Sequence, residues 1–283
     1  MSKVLDNFAK DGYIYLQNYF DHNEMEILDK EYQLLIRRAK NILSFTVKNN
    51  ISLKEFYQQN PNELVVVPEI STPLKVCRFE YIAACSKLMS DIAVRKLENL
   101  ISEIMGQQFI LFKDKCNIKE PGGGAFPPHQ DIAAYFHFKP KFHITAALML
   151  DNSNIQNGCL EMATNYQDFY NEAKDQLIKT CIGNLPILNF EKGGKSNGNI
   201  EDIICKKLSW QPIEANIGDV ILFHSFIPHC SKANISPYKR RNLFFTFNLQ
   251  SEGDFYQEYY EIKKQDYSNP IFHVSTPTSH DEL

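Results

Sequence analysis

The sequence predicts a mainly β protein with flanking helices, its core an antiparallel sandwich or jelly roll. Three observations point there. Helical periodicity is concentrated in the first third of the chain. From Gln108 onward the texture changes to short apolar or alternating runs, rich in β-branched and aromatic residues and bounded by Gly, Pro and Asn. These strands do not alternate regularly with helices, and no Gly-x-Gly-x-x-Gly or phosphate-binding loop precedes a helix, which disfavours a doubly wound nucleotide fold.

Residues 22 to 45 place Met25, Leu28, Tyr32, Leu35 and Ile36 at helical spacing with charges between them, so one amphipathic helix is expected there. A shorter helix is expected from about Leu53 to Pro61, and a third from about Leu88 to Met105, stopped near Gly106. The strand candidates are FILFKDKCNI, FHITAALML, DVILFHSF and LFFTFNL. Two loops stand apart: EPGGGAFPP (120–128), which leads into a His, and the polar, Gly-rich NFEKGGKSNGNIED (189–202), readable either as a substrate lid or as a plain surface loop. The expected organisation is a single catalytic domain over 1–283. It comprises a helix-rich part (1–106), a jelly-roll core (107–250) with an insert near 165–205, and a tail (251–283).

At 283 residues the chain is long enough to build a real pocket, and 43% hydrophobic with 23% charged residues excludes a disordered, collagenous or coiled-coil protein. A net charge of −4 argues against a broadly basic surface for nucleic acid or anionic membranes, which leaves a small molecule as the expected partner. No apolar run reaches the roughly 20 residues needed to span a bilayer, and MSKVLDNFAK lacks the apolar core of a secretory signal, so a cytoplasmic location is expected. Seven scattered cysteines, none in Cys-x-x-Cys, suggest neither a disulfide framework nor a zinc knuckle. Oligomeric state is not legible.

The chemistry is carried by His129-Gln130-Asp131. A His-x-Asp tripeptide alone has little weight, but in extended chain residues two apart point to the same side, so this imidazole and carboxylate can converge on one ion. The block from Gly218 to Asn248 opens a strand with Gly-Asp, brings His229, ninety-eight residues beyond Asp131, just past its end, and carries Arg240 on the next strand. Two His and one carboxylate take one face of an octahedral metal and leave three positions open, the requirement of non-haem Fe(II) oxygenases. A guanidinium eleven residues after His229 can grip a carboxylate with paired hydrogen bonds and so anchor an oxo-acid co-substrate. His137, His143 and His224 read as structural histidines. His224 lies at an odd offset from His229 and so faces the other side of a regular strand, and Arg241 is the fallback for Arg240.

With these residues in place the chain resembles the phytanoyl-CoA dioxygenase family of Fe(II)/2-oxoglutarate oxygenases. The likeness runs from residue 8 to about 250: FAKDGYIYLQNYF resembles the opening motif, LDNSNIQNGCLEM the central Asn-Gly-Cys-Leu turn and strand, and GDVILFHSFIPH the final metal-binding strand. The resemblance implies a double-stranded β-helix, a cupin-type jelly roll buttressed by N-terminal α-helices. It further implies Fe(II) held by His129, Asp131 and His229, with Arg240 on the distal carboxylate of 2-oxoglutarate. Ser231 and Asn242 resemble further co-substrate contacts, and Asn117 and Thr145 are candidate pocket-lining groups. The implied reaction consumes O2, converts 2-oxoglutarate to succinate and CO2, and hydroxylates the substrate; cyclisation, desaturation and epoxidation use the same centre. Related halogenases replace the carboxylate with a small residue, and Asp131 is retained here. The tail SEGDFYQEYYEIKK, with Tyr259-Tyr260 and Lys263, resembles members acting on aminoalkyl-phosphonates, although Tyr256 stands where an Arg is expected. A small polar metabolite or natural-product intermediate is therefore the expected substrate. The alternatives are an acyl-CoA or acyl-carrier substrate, and a non-oxygenase metal-dependent jelly-roll enzyme or binding module.

Overall fold

The computed structural model describes residues 3–69, 72, 74–170, 176–192, 197–269 and 272. Residues 193–196 of the Gly-rich loop and the tail from 273 onward, both named above, lie outside the described residues, as do 171–175 of the insert.

The helical third runs α1 (Lys3–Asp11), strand β1 (Tyr13–Leu16), α2 (His22–Asn49), α3 (Leu53–Gln59), strands β2 (Val65–Pro68) and β3 (Val76–Glu80), and the short α4 (Ile82–Cys85). Next, α5 (Lys87–Met89), a π-helical turn (Ser90–Val94) and α6 (Arg95–Met105) join end to end. Helix α2 starts where Asp21 accepts from the Glu24 amide and the Glu24 carboxylate accepts from the Asp21 amide, both at 2.9 Å, a reciprocal cap that contributes about 1 kcal/mol. The five residues expected to share a face of α2 are all buried. Gly106, at φ 63°, ends α6 in the left-handed conformation a side chain disfavours.

The remaining elements are β4 (Phe109–Lys119), β5 (Phe126–His129), β6 (His143–Met149), β7 (Leu160–Ala163), β8 (Leu177–Thr180), β9 (Gly183–Pro186), α7 (Asp202–Cys205), β10 (Trp210–Ile213), β11 (Val220–His224), β12 (His229–Ser231), β13 (Arg240–Leu249) and α8 (Tyr256–Gln265). They form a seven-stranded sheet in the order β1-β11-β6-β13-β4-β3-β2 and a four-stranded sheet in the order β10-β7-β12-β5; β8 and β9 make a separate hairpin. Every pairing is antiparallel. This is the mainly antiparallel, helix-buttressed jelly roll the sequence predicts. Pro127 and Pro128 sit on β5, an outer strand of the small sheet, where a residue without an N–H does least harm to the ladder. Among the described residues no helix is long and apolar enough to cross a membrane.

The long strands β4 and β13 position the interior. They pair with Arg240 opposite Lys119, Asn242 opposite Asn117, Phe244 opposite Lys115 and Thr246 opposite Lys113. Side chains alternate across a strand. These residues therefore share the face that lines the barrel, while Arg241, Leu243, Phe245, Cys116 and Asp114 share the face turned toward the helices.

Candidate metal centre

Each of the three predicted ligands arrives from a different local device. His129 ends edge strand β5, and Asp131 opens a 3-10 turn (Asp131–Ala134) rather than continuing the strand. Gln130 between them is extended (φ −111°, ψ 127°), so the two functional groups still fall on one side. The apolar run through β11 stops at His224, a turn follows, and His229 begins β12 in the other sheet, directly opposite His129. The buried Gln130 side chain joins these pieces: its amide nitrogen donates to the Phe226 carbonyl (2.5 Å) and the Pro186 carbonyl (3.0 Å), and its oxygen accepts from Leu188 (2.8 Å).

His129, Asp131 and His229 come together, all buried, with one ligand atom from each within 4.8 Å of the others. His129 Nε2 and His229 Nε2 lie 3.8 Å and 4.0 Å from Asp131 Oδ1. Both imidazoles follow a proline, and each turns its Nδ1 toward the carbonyl two residues back: Pro127 O at 2.8 Å and Ile227 O at 3.1 Å. An Nδ1–H donated to a carbonyl fixes the tautomer and leaves Nε2 as a lone-pair donor, the state a metal ligand needs. Burial, assisted for His129 by its His229 neighbour, pushes the His129 pKa down to about 3, and burial likewise lowers that of His229. Burial works to raise the Asp131 pKa, but His229, Lys115, His129 and Lys113 outweigh it and hold the carboxyl well below the usual range. Two neutral imidazoles facing an ionised carboxylate is the donor set of a divalent metal, and the residues fit Fe(II).

The co-substrate candidates lie on the inner face just described. Arg240 is almost fully buried (1% exposed); Nη1 donates to the Gly158 carbonyl (2.7 Å) and its Nε has no partner among the described residues. Burial lowers its pKa to about 10. Both amide atoms of Asn242 and the Asn117 oxygen are likewise unpartnered there. A buried guanidinium without a counter-ion costs several kcal/mol, so a cluster of this kind is built to receive an anion with acceptor oxygens. The residues fit 2-oxoglutarate. Gly158, in the Asn-Gly-Cys-Leu turn, has φ 73° and a Cβ there would stand 2.1 Å from the Lys232 carbonyl, so only glycine brings this carbonyl to Arg240. Ser231 accepts from Lys119 Nζ (2.7 Å), and the Thr145 hydroxyl is paired with that of Thr246 (2.9 Å). Those two hydroxyls are already engaged within the protein.

The residues set aside by sequence reasoning fall elsewhere. Arg241 lies on the outer face, clamped by Asp151 and Asp29. His224 is buried with Nε2 3.0 Å from the Tyr166 hydroxyl, and His143 packs 4.5 Å, centroid to centroid, from Tyr135. Of the aromatic run, Tyr135 lines the space beside His129 and Asp131, Phe138 and Phe142 are core, and Phe136 is exposed. Sequence reasoning missed Arg78, Lys113, Lys115 and Lys119, of which the first three line the same space as His129 and Asp131. The signal was available in the Lys-x-Lys-x-Asn-x-Lys alternation along β4, which reads equally well as a solvent-facing edge. The Gly-rich loop touches the site: Asn199 forms a bridge to His129, and Ile200 donates to the Pro128 carbonyl (2.8 Å).

Comparison with known proteins bears on the family and the fold. The chain is 36% identical over 166 residues to a 2-aminoethylphosphonate dioxygenase from uncultured bacterium HF130_AEPn_1, a match covering 59% of this chain and 56% of that protein, little more than half its length. It is 28% identical over 265 residues to the methylphosphonate hydroxylase of Gimesia maris, covering 93% of this chain and 86% of the relative. Among solved structures, EctD from S. alaskensis with 2-oxoglutarate and 5-hydroxyectoine superposes with a TM-score of 0.61 at 18% identity, over 89% of this chain and 77% of that one, a likeness of fold. The phytanoyl-CoA dioxygenase (PhyH) family model matches residues 8–242, a span that includes His129, Asp131 and His229 and reaches Arg240 and Asn242 at the start of β13; the chain belongs to the phytanoyl-CoA dioxygenase family.

Proposed function

We propose that the protein is an Fe(II)- and 2-oxoglutarate-dependent dioxygenase that hydroxylates a C–H bond of a small polar metabolite, with an alkylphosphonate as the favoured class. The observation that carries this reading is the pairing, inside one barrel, of a neutral two-imidazole, one-carboxylate set with buried Arg240, Asn242 and Asn117, each of which keeps at least one polar atom without a partner among the described residues. His129, Asp131 and His229 would hold the iron, Arg240 the distal carboxylate of 2-oxoglutarate, with Asn242 beside it and Ser231, Asn117 and Thr145 completing the lining. Bound there, iron and 2-oxoglutarate supply the oxidising chemistry, with O2 consumed and succinate and CO2 formed. The chain's own residues orient and exclude. The two carbonyls behind the imidazoles fix their rotation, Gly158 aims Arg240, and the Phe223 ring, 4.8 Å from His229, keeps water from that side. The space beside His129 and Asp131 is lined by the cationic side chains of Arg78, Lys113 and Lys115, which favours a small anionic or polar substrate over an apolar acyl chain. The phosphonate preference is supported by the activities named for the two relatives above.

Anaerobic titration of the metal-free protein with Fe(II) and 2-oxoglutarate tests the reading. A visible metal-to-ligand charge-transfer band is expected, followed by substrate-dependent succinate formation on admitting O2. A correctly folded protein that gives no band refutes it. Turnover with zinc or manganese, without 2-oxoglutarate, would replace it with the non-oxygenase metal-dependent alternative.

A further inference from the structure

Four and six residues back along β4 from Lys119, the partner of Arg240 in the ladder, Lys115 and Lys113 begin a second cationic group on the barrel wall. Arg78 on β3 and Lys113 and Lys115 on β4 line the same narrow space as His129 and Asp131. Arg78 and Lys113 are buried at 8% and 7% exposure. Behind them Glu80 takes Lys263 at 2.7 Å and Arg78 at 2.8 Å. Glu80 is thus a single carboxylate shared by two cations, and it is spent on them. Among the described residues neither Lys113 nor Lys115 has a hydrogen-bond acceptor. Lys113 Nζ lies instead 5.3 Å and 5.2 Å from the ring centroids of Tyr135 and Tyr259, and Lys115 Nζ lies 5.1 Å from that of Phe244. Aromatic faces hold a cation in place without neutralising it. Among the described residues, the other carboxylate acting on these lysines is Asp131, whose charge a metal ion on the triad would offset. The wall then holds more positive charge than the fold itself compensates, in a place where each uncompensated ion costs several kcal/mol.

From this we infer that Arg78, Lys113 and Lys115 form the substrate's head-group site, and that the group they take is a doubly charged oxyanion of phosphonate type, separate from the Arg240 end where 2-oxoglutarate sits. The inference rests on the oxygenase reading above and adds to it the residues that select the substrate. Three cations converging from adjacent strands suit a tetrahedral anion with three oxygens, since each oxygen can accept a charge-assisted hydrogen bond. Burial lowers the pKa of Lys113 to about 7 and lowers that of Lys115, so an anion binding here would also draw the ammonium forms back.

The test is calorimetric titration of the Fe(II)- and 2-oxoglutarate-loaded protein under argon with methylphosphonate, and with its uncharged dimethyl ester as control, in wild type, Lys113→Met, Lys115→Met and Lys115→Arg. Replacing a buried, unpaired lysine by an apolar residue of similar length spares the fold, which circular dichroism melts check. Wild type is expected to bind methylphosphonate and not the ester. The two methionine variants should bind it at least tenfold more weakly, and Lys115→Arg should retain it. The charge-transfer band should form at the same 2-oxoglutarate concentration in all four. Three results would overturn the inference: equal methylphosphonate binding in the methionine variants, no methylphosphonate binding in a wild type that forms the band, or a tenfold rise in the 2-oxoglutarate needed for the band in the methionine variants. Absence of the band in every protein would instead condemn the oxygenase reading.

Discussion

On the outer face of β4 and β13, Asp114 accepts from the Ile82 and Ala83 amides at 2.7 and 2.8 Å and from the Tyr256 hydroxyl at 2.8 Å, and Arg241 is held by both oxygens of Asp151 and by Asp29. On the inner face of the same strands, Arg240, Asn242 and Asn117 keep polar atoms without a partner among the described residues, and Lys113 and Lys115 lie over aromatic rings. Covalent neighbours therefore have opposite fates: Arg241 is saturated by the fold and Arg240 is left to a ligand. The difference separates scaffold from site better than burial does, because both arginines are buried. A polar group the fold satisfies contributes to stability; one it leaves unsatisfied costs stability until something binds.

Substitutions should divide along the same line. Asp131→Ala, which removes a ligand, is expected to lower coupled succinate formation by about a thousandfold or more while the far-UV circular dichroism spectrum is retained. A fold that collapses with it would blur the division. Arg241→Leu strands two carboxylates, so urea titration should show a loss of about 2 kcal/mol or more, moderated because Asp29 is half exposed. The surviving folded protein should bind 2-oxoglutarate as wild type does, and a weakened co-substrate would mean the outer face reaches the site. Arg240→Met should do the reverse, raising the 2-oxoglutarate needed for the charge-transfer band by about 10- to 100-fold with no loss of stability. Destabilisation comparable to Arg241→Leu would show that the fold, too, depends on Arg240.

The smallest effect expected concerns pH. Burial lowers the pKa of His224 to about 3, against about 6.5 for a free imidazole. The unfolded chain therefore binds the proton more readily than the folded one. This contribution is complete above about pH 6.5 and falls away as the pH drops toward 3, by up to about 1.4 kcal/mol per unit. The urea midpoint should decline on acidification below pH 6.5, and less steeply in His224→Gln; identical slopes would remove His224 from the account.

Much of this was legible beforehand. Met25, Leu28, Tyr32, Leu35 and Ile36 announced α2 because a 3.6-residue period has one physical meaning. The candidate ligands His129, Asp131 and His229 and the candidate anchor Arg240 could be named because metal and carboxylate chemistry restricts residue type, and the family resemblance paired Asp131 with a His ninety-eight positions further on. The same reasoning put His229 just past the end of its strand but could not see which sheet it enters. The turn after His224 moves it to the other sheet, opposite His129, and that pairing is a property of two sheets rather than of one segment.

The lysines of β4 mark the boundary between the two kinds of information. By itself the sequence determined that Lys113, Lys115, Asn117 and Lys119 share one face, since alternation in a strand is local geometry. Only the tertiary structure decided that this face looks inward, toward His129 and Asp131, because β3, β13 and the smaller sheet must close around it before inside and outside exist. A two-residue period defines a side; packing alone gives that side its dielectric, its neighbours and its use.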